Sequence, residues 1–185
     1  ITESWLEEML QLCQQKDVGM AGAKLYYPDD TIQHAGVVVG LGGVAAHVLC
    51  KLPRDAEGYM GRLRCVQEIS AVTAACMMIK TSVFKAVGGF DEELKVAFND
   101  IDLCMKVRKY GVKIVFTPYA ELYHYESKSR GMEDTPEKQL RFSREVNCFR
   151  RKWERELLKG DPYYNPNLTL NNTDCSLRKQ EKNGD

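Results

Sequence analysis

Three side chains stand out for the chemistry they could do: Asp100, Asp102 and His124, all within "FNDIDLCMKVRKYGVKIVFTPYAELYHYES", Phe98 to Ser127. A carboxylate fixed at a helix start, beneath a cleft, can take a proton from an incoming hydroxyl. One imidazole joined by carboxylates from elsewhere can bind a hard or borderline divalent ion such as manganese. Each residue also has a plainer reading. Asn99 can cap the helix, and Asp102, three residues on, can reach back to the cap's backbone. Acids in a first turn meet the positive end of the helix dipole. His124 closes an apolar strand, where a satisfied structural histidine is an ordinary occupant. Neither His34 nor His47 lies near it in sequence, so spacing alone completes no metal site. Lys128 and Arg130 in the next loop could face a phosphate or simply be solvated. "SAVTAACMM" reads as a core strand whose small residues allow close packing, or as backbone that a ligand approaches.

The elements that must position these groups are legible in outline. "TESWLEEMLQLCQQ" reads as a first helix, with Ser4 and Glu7 at capping-box spacing and Leu6, Met9, Leu10 and Cys13 as its apolar stripe. "VGMAGAKLYY" and "TIQHAGVVVG", separated by "PDD", read as a hairpin. From "GLGG" to Arg64 the chain reads as a long loop of the kind that often carries function. "ISAVTAACMMI" reads as a buried strand, and "KTSVFKAVGG" as a short helix stopped by Gly88 and Gly89. A helix capped by Asn99 should end at Gly111, burying Leu103, Val107 and Tyr110. "VKIVFTP" should be a strand closed by Pro118, and "AELYHY" a second short one. Thr135 and Pro136 should open a long helix whose stripe is Phe142, Val146, Phe149, Trp153 and Leu157. Beyond Gly160 the chain reads as extended, ending in a polar tail. Alternating helices and strands make this an α/β domain.

Composition narrows the function classes. The 185 residues suffice for one domain with a real core, and Lys plus Arg equals Asp plus Glu at 26 each. Net charge therefore gives no reason to propose nucleic acid as a partner. Seven cysteines, without a C-x-x-C pair, argue against a disulfide framework and a cysteine-based zinc site. A reducing cytoplasm is the simplest location. No apolar run approaches the ~20 residues of a membrane span.

In this order the motifs resemble a known pattern. "VTAACMMIKTSVFKAVGGFDEELKVAFNDIDLCMKVRKYGVKIVFTPYAELYHYESKSRG" resembles the C-terminal half of a family 2 glycosyltransferase of the GT-A fold. The shared features are a small-residue strand, a G-G-F-D turn and an acidic pair followed by D-L-C at a helix start. A G-x-K-I strand with proline and an isolated histidine complete the set. "RFSREVNCFRRKW" and "DPYYNPNLTL" resemble bacterial members that build rhamnose-containing and other surface polysaccharides. The resemblance implies a mixed sheet flanked by helices over 1–160 and an extended tail over 161–185. It implies inverting transfer from a nucleotide-diphosphate sugar to the hydroxyl of a saccharide or lipid-linked saccharide acceptor, at or near the inner face of the membrane. Asp100 matches the catalytic base. His124 matches a histidine that helps hold a divalent metal, Mn2+ or Mg2+, on the diphosphate. Thr73, Ala74, Ala75 and Cys76 match the sugar pocket, and Asp91 the turn on the acceptor side. Asn99 sits beside the base, and Ser127 and Arg130 match the diphosphate loop.

Two departures from the family pattern shape the expectation. Many members carry Glu before the base, where this chain has Asn99. The nucleotide-binding half and its Asp-x-Asp motif are not in the sequence, and "ITESWLEEML" resembles the helix that follows that motif. The expectation is half an active site, inactive alone and binding no metal by itself. Two other readings compete. One is a non-catalytic module that self-associates through a truncated, exposed face. The other is a metal hydrolase built on Asp100, Asp102 and His124.

Overall fold

The structure is a computed structural model that describes residues 1–125 and 135–179. Strand β1 (Val18–Tyr26) is its axis, and all nine of its residues are buried. It is flanked by β7 (Lys113–Tyr123) in parallel, and by β2 (Ile32–His34) and β6 (Met77–Ile79) antiparallel. β5 (Gln67–Glu68) adds to β7, giving a five-stranded mixed sheet. β3 (Val37–Val39) and β4 (Ala45–His47) form a separate antiparallel pair. Helix α1 (Trp5–Cys13) covers one face of the main sheet, where Met9, Leu12 and Cys13 meet Ala21, Ala23 and Leu25. The larger core on the other face takes in Met20 and Phe116, helix α3 (Asn99–Tyr110) and Phe149 of helix α4 (Pro136–Lys152). Short helices α2 (Thr81–Ala86) and α5 (Glu154–Lys159) complete the set. This is the expected α/β arrangement, a mixed sheet flanked by helices.

The small residues of β1 have a purpose that the core explains. A Cβ built on Gly22 would stand 2.3 Å from Val72 Cγ1. Only glycine lets the buried run Ile69–Val72 cross so close to the central strand. That crossing leads into the 73–76 turn, whose first residue, Thr73, lines the cleft described below. "ISAVTAACMMI" is therefore no continuous strand. Ile69 to Val72 are buried, Ala74 and Ala75 are exposed in a turn, and only Met77–Ile79 pairs with β1.

Several local expectations are corrected. Ser4 makes no side-chain cap, and Leu6 and Leu10 face outward while Leu12 takes the buried place. The hairpin of β1 with "TIQHAGVVVG" lasts three residues; after His34 the chain leaves to build β3–β4. β7 runs through Pro118. Opposite β1 its register jumps from Phe116 to Glu121 while β1 advances only from Gly22 to Lys24. Proline, which lacks an N–H, sits in that bulge, where the ladder is already broken. Helix α3 does end at Gly111, whose φ of 97° suits glycine, but Tyr110 is exposed. Thr135 caps α4 as expected, accepting from Lys138 N–H at 3.4 Å. The long helix breaks at Trp153, and Phe142 lies outside the core.

Past Gly160 the described residues form no helix or named strand, yet they pack back onto β3–β4. Asp161 Oδ2 accepts from Val39 N–H at 2.8 Å, and Leu170 O from Gly42 N–H at 2.8 Å. Tyr164, Leu168 and Cys175 are buried there.

Candidate functional site

Asp100 stands in the first turn of α3. Phe98, in the left-handed region at φ 62°, is the N-cap and supplies no side-chain bond. The cap expected of Asn99 is thus displaced by one residue. Asn99 Oδ1 instead accepts from Asp100 N–H at 2.7 Å, and Asp100 Oδ1 from Ile101 N–H at 2.9 Å. These bonds occupy amides that an α-helix leaves without partners at its N-terminus. Asp100 Oδ2 accepts from Ala74 N–H at 3.0 Å. That bond joins the helix start to the 73–76 turn, 26 residues away in sequence. An ionised carboxylate has about four acceptor positions. One bond to each oxygen leaves lone pairs for a hydroxyl proton.

Asp102, the other member of the acidic pair, has a different task. It is fully buried and does not reach back to the cap. Trp153 Nε1–H donates to its Oδ1 at 2.8 Å, Lys152 Nζ lies 2.8 Å from the same oxygen, and Lys106 Nζ 3.3 Å from Oδ2. Lys152 also pairs with Asp91, and Lys106 Nζ donates to Gly89 O at 2.5 Å. The G-G-F-D turn is clamped to α3 and α4 in this way. The bonds from Lys152 and from Glu93 N–H hold the Asp91 carboxyl below the usual range. Asp91 orders its turn and its neighbours; every bond it makes is internal.

Thr73, one residue before Ala74, lines a cleft of about 370 Å³ together with Tyr27, Gln33, His47, Cys50, His124 and Thr173. Thr73 Oγ1 accepts from Ala75 N–H at 3.3 Å, which shapes the turn. Cys76 turns away toward α1, with its Sγ 3.9 Å from Met9 Sδ, and burial pushes its thiol pKa up. It is not part of the cleft wall. Ser127 and Arg130, with Lys128, lie outside the described residues.

His124 follows the end of β7. Its N–H donates to Tyr26 O at 3.0 Å, and its Nδ1 meets Gln33 Oε1 at 2.8 Å. Gln33 Oε1 is an acceptor, so Nδ1–H donates to it and Nε2 is the ring nitrogen left to face a ligand. Sequence spacing separated the three histidines; the fold gathers them. His34 Nδ1 lies 3.3 Å from His47 Nδ1, whose other neighbour is Gln33 O at 3.1 Å. His34 is wholly buried. Desolvation, then the nearby His47 and His124, hold its pKa well below the ordinary value, so it is neutral. No sequence signal marked this grouping, because it depends on how β2 and β4 meet β7.

The cleft sits where β1 and β7, the parallel pair, reach their C-terminal ends. In open α/β sheets ligands bind outside those ends. A larger cavity, about 630 Å³, opens near Arg108, Lys109 and Tyr163 at the other end of α3. Arg108 is eight residues from Asp100, ~12 Å along the helix, so that cavity does not include the candidate base. Among the described residues no group of three or more His, Cys, Asp or Glu side chains could hold a metal ion. His124 can offer one ligand and no more.

Residues 1–145 match the model of glycosyltransferase-like family 2. The chain belongs to that family. This family 2 domain is 58% identical over 178 residues to the uncharacterized protein y4gI of Sinorhizobium fredii, covering 96% of the chain and 20% of that protein. It is 38% identical over 186 residues to the O-antigen biosynthesis protein RfbC of Myxococcus xanthus, covering 100% of the chain and 14% of that protein. Over 62 residues it is 34% identical to an N-acetylglucosaminyl-diphospho-decaprenol L-rhamnosyltransferase of Mycobacterium tuberculosis, covering 34% of the chain and 20% of that enzyme. The domain thus spans a fifth or less of the length of these relatives. Its mixed sheet and flanking helices fit the GT-A class. Among the described residues no helix is long and apolar enough to cross a membrane.

Proposed function

We propose that this glycosyltransferase domain is the acceptor-side, base-bearing part of an inverting transferase. Asp100 takes the proton from an acceptor hydroxyl while that oxygen attacks the anomeric carbon of a nucleotide-diphosphate sugar. The carrying observation is the bond from Ala74 N–H to Asp100 Oδ2. It ties a carboxylate with spare lone pairs to Ala74, the residue after Thr73, which lines the cleft with His124. The relatives' names support polysaccharide assembly in the cell envelope, and the mycobacterial name supports a lipid-linked diphospho-sugar as acceptor. All seven cysteines are thiols, which supports a reducing cytoplasm.

His124 is proposed as one ligand of the divalent metal, Mn2+ or Mg2+, of the complete protein. The described residues do not complete such a site. For the same reason the isolated domain should not bind donor in a metal-dependent way. Calorimetric titration with UDP- and dTDP-sugars plus manganese checks this, and micromolar metal-dependent binding would contradict it. In the complete protein, Asp100→Asn should cut transfer by about 10²–10⁴-fold with donor binding unchanged. Transfer within about threefold of wild type would remove Asp100 from the role, since a general base contributes far more than that.

A further inference from the structure

Lys24 is the anomaly of the central strand. It is 4% exposed, yet among the described residues it makes no ion pair. Its nearest hydrogen-bond partner is Leu63 O at 3.5 Å, at the limit of a useful bond. A buried ammonium without a counter-charge is costly. Glu121 stands opposite it in the β1–β7 register, but that carboxylate is taken up elsewhere. Arg54 Nη2 donates to its Oε2 at 2.8 Å, and Tyr26 donates to its Oε1. Desolvation is the first influence on Lys24 and pulls its pKa down, with Arg54 and Arg64 adding to that against Glu121.

A cleft of about 360 Å³ opens beside this lysine, within the size range of small-ligand sites. Lys24, Arg54 and Arg64 line it, as do Asp55, Glu121 and Tyr119. Arg64 is largely exposed and among the described residues pairs only with Glu57, itself on the surface, so it can swing to a ligand at little cost. We propose that this cleft is an anion site, in which Lys24 Nζ, with Arg54 and Arg64 at the mouth, takes a phosphate or carboxylate group of a ligand. The oxyanion adds to the counter-charge that Glu121, already bonded to Arg54 and Tyr26, supplies only in part. Charge-assisted bonds of this kind are about twice as strong as neutral ones. The site is separate from the Thr73–His124 cleft, and it holds whether or not Asp100 is a base.

The test is calorimetric titration of the full chain at fixed ionic strength with two probes, inorganic phosphate and glucuronate. Binding of phosphate alone assigns the site to phosphate groups, and binding of glucuronate alone assigns it to acidic sugars. Binding of both supports the shared oxyanion chemistry. Lys24→Met should weaken binding at least about tenfold, as the loss of a bond to a charged group implies. Replacing a buried charge by a similar apolar side chain should leave the fold intact. Arg64→Gln, on the surface, should weaken binding by a smaller factor, and Lys113→Gln, outside the cleft, should not. Failure of both probes to bind, or wild-type binding by Lys24→Met, overturns the proposal.

Discussion

Asp100 and Asp102 are two residues apart, and the fold gives them opposite surroundings. Asp100 keeps lone pairs beside the turn that follows Thr73, while Asp102 is surrounded by Trp153, Lys152 and Lys106 with no exposure at all. Asp102→Asn preserves the bond from Trp153 but leaves two ammonium groups around a neutral amide. Breaking a buried ion pair in this way costs about 3–5 kcal/mol. Urea unfolding should therefore show a large fall in midpoint for Asp102→Asn, and a much smaller one for Asp100→Asn. His34 makes a pH prediction. Its pKa is depressed in the fold, so between the unfolded value of 6.5 and the folded one the unfolded chain binds the extra proton. Stability is complete above 6.5 and falls as pH drops below it, by about 1.4 kcal/mol per pH unit for one proton. Unfolding midpoints measured from pH 7 to 5 should show this slope, and His34→Gln should flatten it. The place of Asp100 in the first turn of α3 was legible because acids beside a cap residue mark a helix start, whereas its match to a base came only from the family resemblance. The partners of Asp102 were not, since Trp153 lies 51 residues away and no spacing rule reaches it. Only Lys106, four residues on, was within reach of one.

At the level of elements, the site is positioned by contacts between strands and the turns that follow them. Gly22 lets Val72 cross beneath β1, and Val72 leads into Thr73 and Ala74. Gly22→Ala sets a methyl 2.3 Å from Val72 Cγ1, so β1 or the 69–72 run must shift. Overpacking of this kind costs about 1–3 kcal/mol. Adding Val72→Ala should recover much of the loss, since the clash needs both side chains, and a double-mutant cycle on thermal unfolding reads the coupling. Strictly additive effects would mean that the crossing does not depend on this contact. The sequence made β1 and the long helix α4 legible, one by an apolar run interrupted only at Lys24 and the other by Thr135, Pro136 and its stripe. It misplaced the breaks. Pro118 looked like a strand end because proline removes a donor, but the bulge in β7 has no use for that donor. "TAAC" looked like strand interior because small apolar residues suit a core equally well as a tight turn.

For the whole molecule, the last described segment decides how firmly the small β3–β4 pair is held. That pair contributes His47 to the cleft, and Thr173 reaches the same cleft from the C-terminal side. Three backbone amides of the β3–β4 region depend on residues beyond Gly160: Val39 on Asp161, Gly42 on Leu170 and Leu49 on Thr173. Tyr164, Leu168 and Cys175 are buried against the same region, and a fully buried large apolar side chain contributes roughly 1.5–3 kcal/mol. Ending the chain at Gly160 should therefore free those three amides to exchange with solvent. Amides of β1 paired with β7, remote from the segment, should lose only the share of protection that follows from lower overall stability. Hydrogen exchange followed residue by residue separates the two outcomes, because local opening and global unfolding expose different sets of amides. If Val39, Gly42 and Leu49 stay as protected as the β1 amides, β3–β4 stands without the segment, and His47 is held in the cleft by β3 and β2. If they exchange first, the residues past Gly160 belong to the domain that builds the site.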